Sequence, residues 1–151
     1  PGITYDATIE FAREAGMPQL AKLMRARAAG PEASRTDADR RLEAEWGDRY
    51  WDEWRLPNYH AMDPHAFGAL GAELFDQTPL GARLAEIRCP TLVLVGSGDT
   101  GFLAAADELA RDIPDARLAL IPEAGHQPQL ENPAAWLAAL SDHLARVRGA
   151  F

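Results

Sequence analysis

At 151 residues the sequence is long enough to bury roughly 70% of the surface its unfolded chain exposes, provided its elements can close a core. Hydrophobic residues make up 47% and charged residues 25%, near the globular average, which argues against disordered and fibrous classes. A net charge of −8 argues against a nucleic-acid partner, and no segment approaches the ~20 apolar residues of a membrane helix.

Residues 5–87 read as helical. Ile9, Ala12, Met17, Leu20, Leu23 and Met24 follow a broken helical period, interrupted at Gly16 and Pro18 by an expected turn between two helices. Gly30, Pro31 and Ser34 suggest a linker, after which Thr36 and Asp37 can cap a helix running to about Trp54. Leu42, Trp46, Tyr50 and Trp54 recur every four residues on that helix, with Trp51 at the edge of the same aromatic face. Another helix is expected from Asp63-Pro64 with Phe67, Leu70 and Leu74 on one face, then a short one over 79–87.

The pattern changes at residue 88, dividing the chain into 1–87 and 88–151. Thr91-Leu92-Val93-Leu94-Val95 is a continuous apolar run rich in β-branched residues and reads as a strand buried on both faces. A helix follows, with Leu103, Ala106, Leu109, Ala110 and Ile113 at helical spacing, then a second short strand over 117–121. Asn132-Pro133 starts the last helix as an N-cap followed by proline, with Trp136, Leu137, Leu140, Leu144 and Val147 on its apolar face and His143 on its solvated side. Strand, helix, strand, helix is a parallel unit, giving an α/β class for this half. Two such strands do not finish a sheet, so a further polypeptide segment is expected to complete it.

In open parallel sheets the working residues lie just beyond the carboxyl ends of the strands. The first strand exits through Gly96-Ser97-Gly98-Asp99, the second through Ile121-Pro122-Glu123-Ala124-Gly125-His126-Gln127 and on to Glu131-Asn132-Pro133. A neutral imidazole can take a proton from a hydroxyl near pH 7 and return it to a leaving group if a carboxylate fixes its tautomer. Each residue also has an ordinary reading: Asp99 as a helix N-cap and His126 as a polar loop residue bonded to a carbonyl.

The Cys-Pro-Thr entry at Cys89, the Gly-x-x-Asp exit at Asp99, and Ala-Gly-His followed by Glu-Asn-Pro occur in one order and spacing. In these features the sequence resembles the C-terminal half of the α/β-hydrolase family. The resemblance implies that Asp99 orients His126, the general base toward a serine, and that the helical half is a cap over the active site. The implied fold is the last two parallel strands of an α/β-hydrolase sheet preceded by that cap. The family's Gly-x-Ser-x-Gly nucleophile motif does not occur; the three serines, Ser34, Ser97 and Ser141, read as turn or surface hydroxyls. The nucleophile is therefore expected on another polypeptide carrying the N-terminal half of the sheet.

The implied function is hydrolysis of a carboxylic ester, lactone or related bond, with this chain alone inactive. An aspartate nucleophile, as in epoxide hydrolases and haloalkane dehalogenases, and a non-catalytic binding module are the alternatives. Trp46, Tyr50, Trp51 and Trp54 either pack the cap or form a wall of an apolar substrate pocket, to which Phe102 and Gln127 are added as neighbours of Asp99 and His126. His60, Asp63 and His65 are metal-capable residue types at unsuitable spacing, so neither metal nor cofactor is expected. The single Cys89 excludes an internal disulfide, suits a reducing cytoplasm, and reads as a small buried apolar group.

Overall fold

The computed structural model describes residues 5–30, 35–75 and 77–149, so Pro31 and Ser34 of the expected linker lie outside the described residues. In chain order it contains α1 (Tyr5–Ala15), α2 (Met17–Ala28), α3 (Asp37–Trp46), a π-helical turn (Tyr50–Arg55), α4 (Leu56–Ala61), α5 (Pro64–Phe75) and a 3₁₀ segment (Gly81–Glu86). Then follow β1 (Thr91–Gly96), α6 (Leu103–Asp112), β2 (Ala116–Ile121), α7 (Pro128–Glu131) and α8 (Pro133–Arg148). No helix among the described residues is long and apolar enough to cross a membrane.

The described residues form two compact units, one from residues up to Arg35 together with Trp46–Thr78, the other from Thr36–Glu45 together with the residues from Pro79 onward. These units are cut differently from the sequence division at 87/88. The reason is local: Thr36 and Arg41 bond to the loop after β2, through Glu131 and the Glu123 carbonyl, which ties most of α3 to the strands.

In the first unit, Ala12, Met17 and Leu20 are buried together, with Leu23, Met24, Tyr59 and Phe67 packed against them. The expected turn at Gly16 is present, with φ of 85°. Asp63 caps α5 by accepting from the His65 and Ala66 amides, both at 2.9 Å. On α5, Leu70 is 71% exposed, contrary to the expected apolar face, and the buried positions are Gly68 and Gly71. Small residues there let α5 pack against α1; the Leu74 side chain lies outside the described residues.

The helix expected to run to Trp54 stops at Trp46. Thr36 starts it as foreseen, its hydroxyl accepting from the Asp39 amide at 3.1 Å. Gly47 ends it by taking φ of 58°, a left-handed conformation that only glycine adopts without a Cβ penalty. The aromatic residues therefore do not share one straight helical face: Trp46 ends α3, and Tyr50, Trp51 and Trp54 lie on the π-helical turn.

In the second unit, β1 and β2 are parallel neighbours, in register from Thr91 opposite Ala116 to Gly96 opposite Ile121. The crossover is α6, and Val95, Ala106, Ile113, Ile121 and Ala124 are buried. Asn132 caps α8 as expected, accepting from the Ala135 amide at 3.2 Å. Two strands are narrower than the apolar stripe meant to cover them. Leu118 and Leu120 on β2 are 40% and 55% exposed, and of the expected α8 face Leu137 and Leu144 are exposed while Trp136, Leu140 and Val147 are half-buried. Two further expectations fail. Cys89 is exposed, sitting in the turn before β1, and His143 is half-buried with an Nδ1 that is out of solvent and without a partner among the described residues.

A Cβ at Gly47 would meet nothing within 4 Å, so substitution there tests backbone conformation alone. Gly47→Ala is expected to lower unfolding stability by about 1 kcal/mol and Gly47→Asn by less, since Asn tolerates the left-handed region; urea denaturation checks both.

Candidate active site

The loops leaving β1 and β2 are joined backbone to backbone. The Ser97 amide donates to the Ile121 carbonyl at 2.9 Å and the Gly98 amide to the Ala124 carbonyl at 2.7 Å. Contact is so close that a Cβ at Gly96 would lie 2.1 Å from the Gly125 carbonyl oxygen and 2.5 Å from that of Ala124. Both obstacles are backbone, so neither can rotate away. Gly96 is required here for space.

Two tight turns then lead to α6, with the Asp99 amide donating to Gly96 at 3.0 Å and the Phe102 amide to Asp99 at 2.9 Å. Asp99 is thus too early in the chain to cap α6, whose N-cap is Phe102, and its carboxylate turns to the neighbouring loop. There Oδ2 lies 2.8 Å from His126 Nδ1. An ionised carboxylate only accepts, so Nδ1 carries the proton and Nε2 is left as the basic nitrogen. The Asp99 side chain is 14% exposed and that of His126 61%, so the carboxylate is sheltered and the imidazole reachable. No hydroxyl or thiol among the described residues bonds to Nε2.

Phe102 packs its ring against the imidazole, with centroids 4.8 Å apart and planes tilted by 40°. Beside the pair is a cleft of about 220 Å³ lined by Val93, Val95, Phe102, Ala105, Leu109 and Pro128 together with Asp99 and His126. Its walls are apolar and its polar groups are the two that can exchange a proton. Such a site can accept a proton from a hydroxyl on Nε2, hold the resulting imidazolium against Asp99, and release the proton to a departing oxygen.

Of the remaining residues singled out from sequence, Gln127 lies beside the pair but its side-chain oxygen accepts from Gln129 at 2.7 Å. Trp46, Tyr50, Trp51 and Trp54 form a cluster in the first unit. Tyr50 stands edge-on to Trp51 and Trp54 at 5.5 and 5.0 Å, and Trp46 to Trp54 at 6.0 Å. Arg35 lies over the Tyr50 ring and Arg55 over Trp54. Tyr50 and Trp51 are buried, whereas Trp46 and Trp54 are half-buried. Asp63 is occupied as a helix cap, and no group of three or more metal-ligating side chains converges among the described residues.

Sequence reasoning missed what Glu131 and Thr36 do at this site, having read Thr36 only as a helix cap. One oxygen of Glu131 accepts from the Gly125 amide at 2.7 Å and the Gln127 amide at 3.1 Å, and the other faces the Thr36 hydroxyl at 3.5 Å. Glu131 had a signal, its place in the Glu-Asn-Pro run, without an attached role. Thr36, 95 positions from Glu131, had none.

Residues 5–133 match the family described by the α/β-hydrolase fold. A pimeloyl-[acyl-carrier protein] methyl ester esterase from Aromatoleum aromaticum is 43% identical over 79 residues, covering 52% of this chain and 31% of that protein. A putative 2-succinyl-6-hydroxy-2,4-cyclohexadiene-1-carboxylate synthase from Bacillus subtilis is 31% identical over 71 residues, covering 47% of this chain and 26% of that protein. The solved structure of MenH from S. aureus superposes with a TM-score of 0.71 at 24% identity, covering 95% of this chain and 50% of its own. The matched stretches thus span less than a third of either curated relative and half of the solved structure.

Gly96→Ala is expected to cost about 3 kcal/mol or more, because backbone must move to admit the methyl group. Thermal unfolding gives the loss, and faster exchange of the Gly98 amide locates it at the junction of the two loops.

Proposed function

The chain belongs to the α/β-hydrolase family, and from that premise we propose that Asp99 and His126 are the acid and base of an acyl-transfer site that hydrolyses a carboxylic ester, lactone or related bond. The carrying observation is the 2.8 Å contact between Asp99 Oδ2 and His126 Nδ1, which leaves Nε2 basic and accessible beside an apolar cleft. In this reading Nε2 removes the proton of a serine hydroxyl as it attacks the carbonyl carbon. Asp99 stabilises the imidazolium so formed, and Nε2 then protonates the departing alkoxide. Water repeats the sequence to release the acid.

The serine comes from a polypeptide segment carrying the rest of the sheet. Supporting this, β1 is hydrogen-bonded to β2 alone among the described residues, and Leu118, Leu120, Leu137 and Leu144 present apolar surface that further elements would cover. The cleft favours a small, largely apolar substrate, with Phe102 beside the imidazole as part of its wall. The single thiol suits the cytoplasm as its location. A second reading is favoured by the relative named as a putative synthase: the same acid–base pair would serve a reaction other than ester hydrolysis. The esterase relative has the higher identity, 43% against 31%, and supports hydrolysis first.

In the complete protein, Asp99→Asn is expected to lower kcat on a short p-nitrophenyl ester by on the order of 10⁴, and His126→Ala by at least as much. The 151-residue chain is expected to show the same residual rate with or without His126. Full ester turnover by both variants of the complete protein would sink the acid–base assignment, and His126-dependent turnover by the chain alone would sink the claim that its nucleophile lies elsewhere.

A further inference from the structure

We propose that Glu131 is the positioning residue of this site, holding the His126 imidazole in place by clamping the backbone on both sides of it. The inference rests on the reading of His126 as the base. The histidine side chain is 61% exposed and bonded at Nδ1 alone, so burial does little to fix it. Its neighbours in the chain are fixed instead. Glu131 Oε2 receives the Gly125 and Gln127 amides at 2.7 and 3.1 Å, one donor on each side of residue 126.

The carboxylate is itself held. It ends α7, and the next residue, Asn132, caps α8 while its side-chain amide donates to the Pro122 carbonyl at 2.9 Å. Oε1 faces the Thr36 hydroxyl. A negatively charged acceptor suits two converging amides because charge-assisted bonds are about twice as strong as neutral ones. Glutamine keeps an acceptor oxygen for the amides and turns its NH₂ toward Thr36. Alanine keeps neither.

Nuclear magnetic resonance of the chain tests the clamp without requiring activity. In the unmodified protein, the Gly125 and Gln127 amides are expected to show scalar coupling through their hydrogen bonds to the Glu131 side-chain carbonyl carbon. In Glu131→Ala these amides are expected to exchange on the order of 10- to 100-fold faster. The downfield resonance of the His126 Nδ1 proton, the mark of its bond to Asp99, is then expected to move upfield and broaden as it does in Asp99→Asn, because a displaced ring loses its carboxylate. Glu131→Gln is expected to restore that resonance. Absence of coupling from either amide to the Glu131 carboxylate carbon would overturn the proposal, and that measurement needs no variant to fold. So would a Glu131→Ala protein with unchanged exchange and an unchanged Nδ1 resonance. An Nδ1 resonance that is the same in the unmodified protein and Asp99→Asn would instead defeat the acid–base reading, leaving the amide data to judge the clamp.

Discussion

Everything at the candidate site depends on how closely two loops approach each other. β1 and β2 end level, Gly96 opposite Ile121, so their exits leave the sheet side by side. The Gly98 amide reaches the Ala124 carbonyl, and Gly96 makes room for the Ala124 and Gly125 carbonyls where any side chain would intrude. Asp99 lies three residues beyond Gly96 and His126 one beyond Gly125. The side chains can therefore meet at hydrogen-bond distance because the backbones have already met.

The same constraint explains why a parallel pair of strands suits this chemistry. Parallel strands point their carboxyl ends the same way, and α6 returns the chain to the start of β2, so residues 27 apart in sequence arrive at one edge. The geometry also has a cost. A parallel pair buries little by itself, which is visible in the exposed leucines of β2 and α8. Pairing and stability thus make different demands on this unit: two strands suffice to bring Asp99 to His126, while covering their apolar surface takes more.

Much of this was legible in the sequence, and the reasons for success and failure are physical. That Asp99 and His126 lie together could be read because each follows an apolar run and then a glycine, at the exits of neighbouring strands. The caps at Thr36 and Asn132 were readable because capping is local. The break at Gly47 was not: an i, i+4 aromatic period runs straight through it, and one glycine inside a helical pattern does not declare that it will take a left-handed conformation. The aromatic spacing belongs instead to a helix end and a π-turn. The role of Glu131 was hidden for a different reason. Its partners are main-chain amides, which leave no trace in residue identity, and Thr36 joins it across 95 positions.

Exposure divides the labour between the two central residues. Asp99, 14% exposed, has one partner and one orientation to keep, so shelter from water serves it by strengthening its bond to Nδ1. In the proposed reaction His126 meets an attacking hydroxyl and a departing oxygen in turn, and a buried ring could meet neither. Its order must therefore come from somewhere other than packing. The Phe102 ring restrains one face and Asp99 one nitrogen, but both act on the side chain, whose direction is only as fixed as the Cα that carries it. Amides anchored on either side of that Cα supply the missing restraint while leaving Nε2 open. An accessible base with a fixed direction is what proton transfer requires, and in this unit the backbone provides the direction.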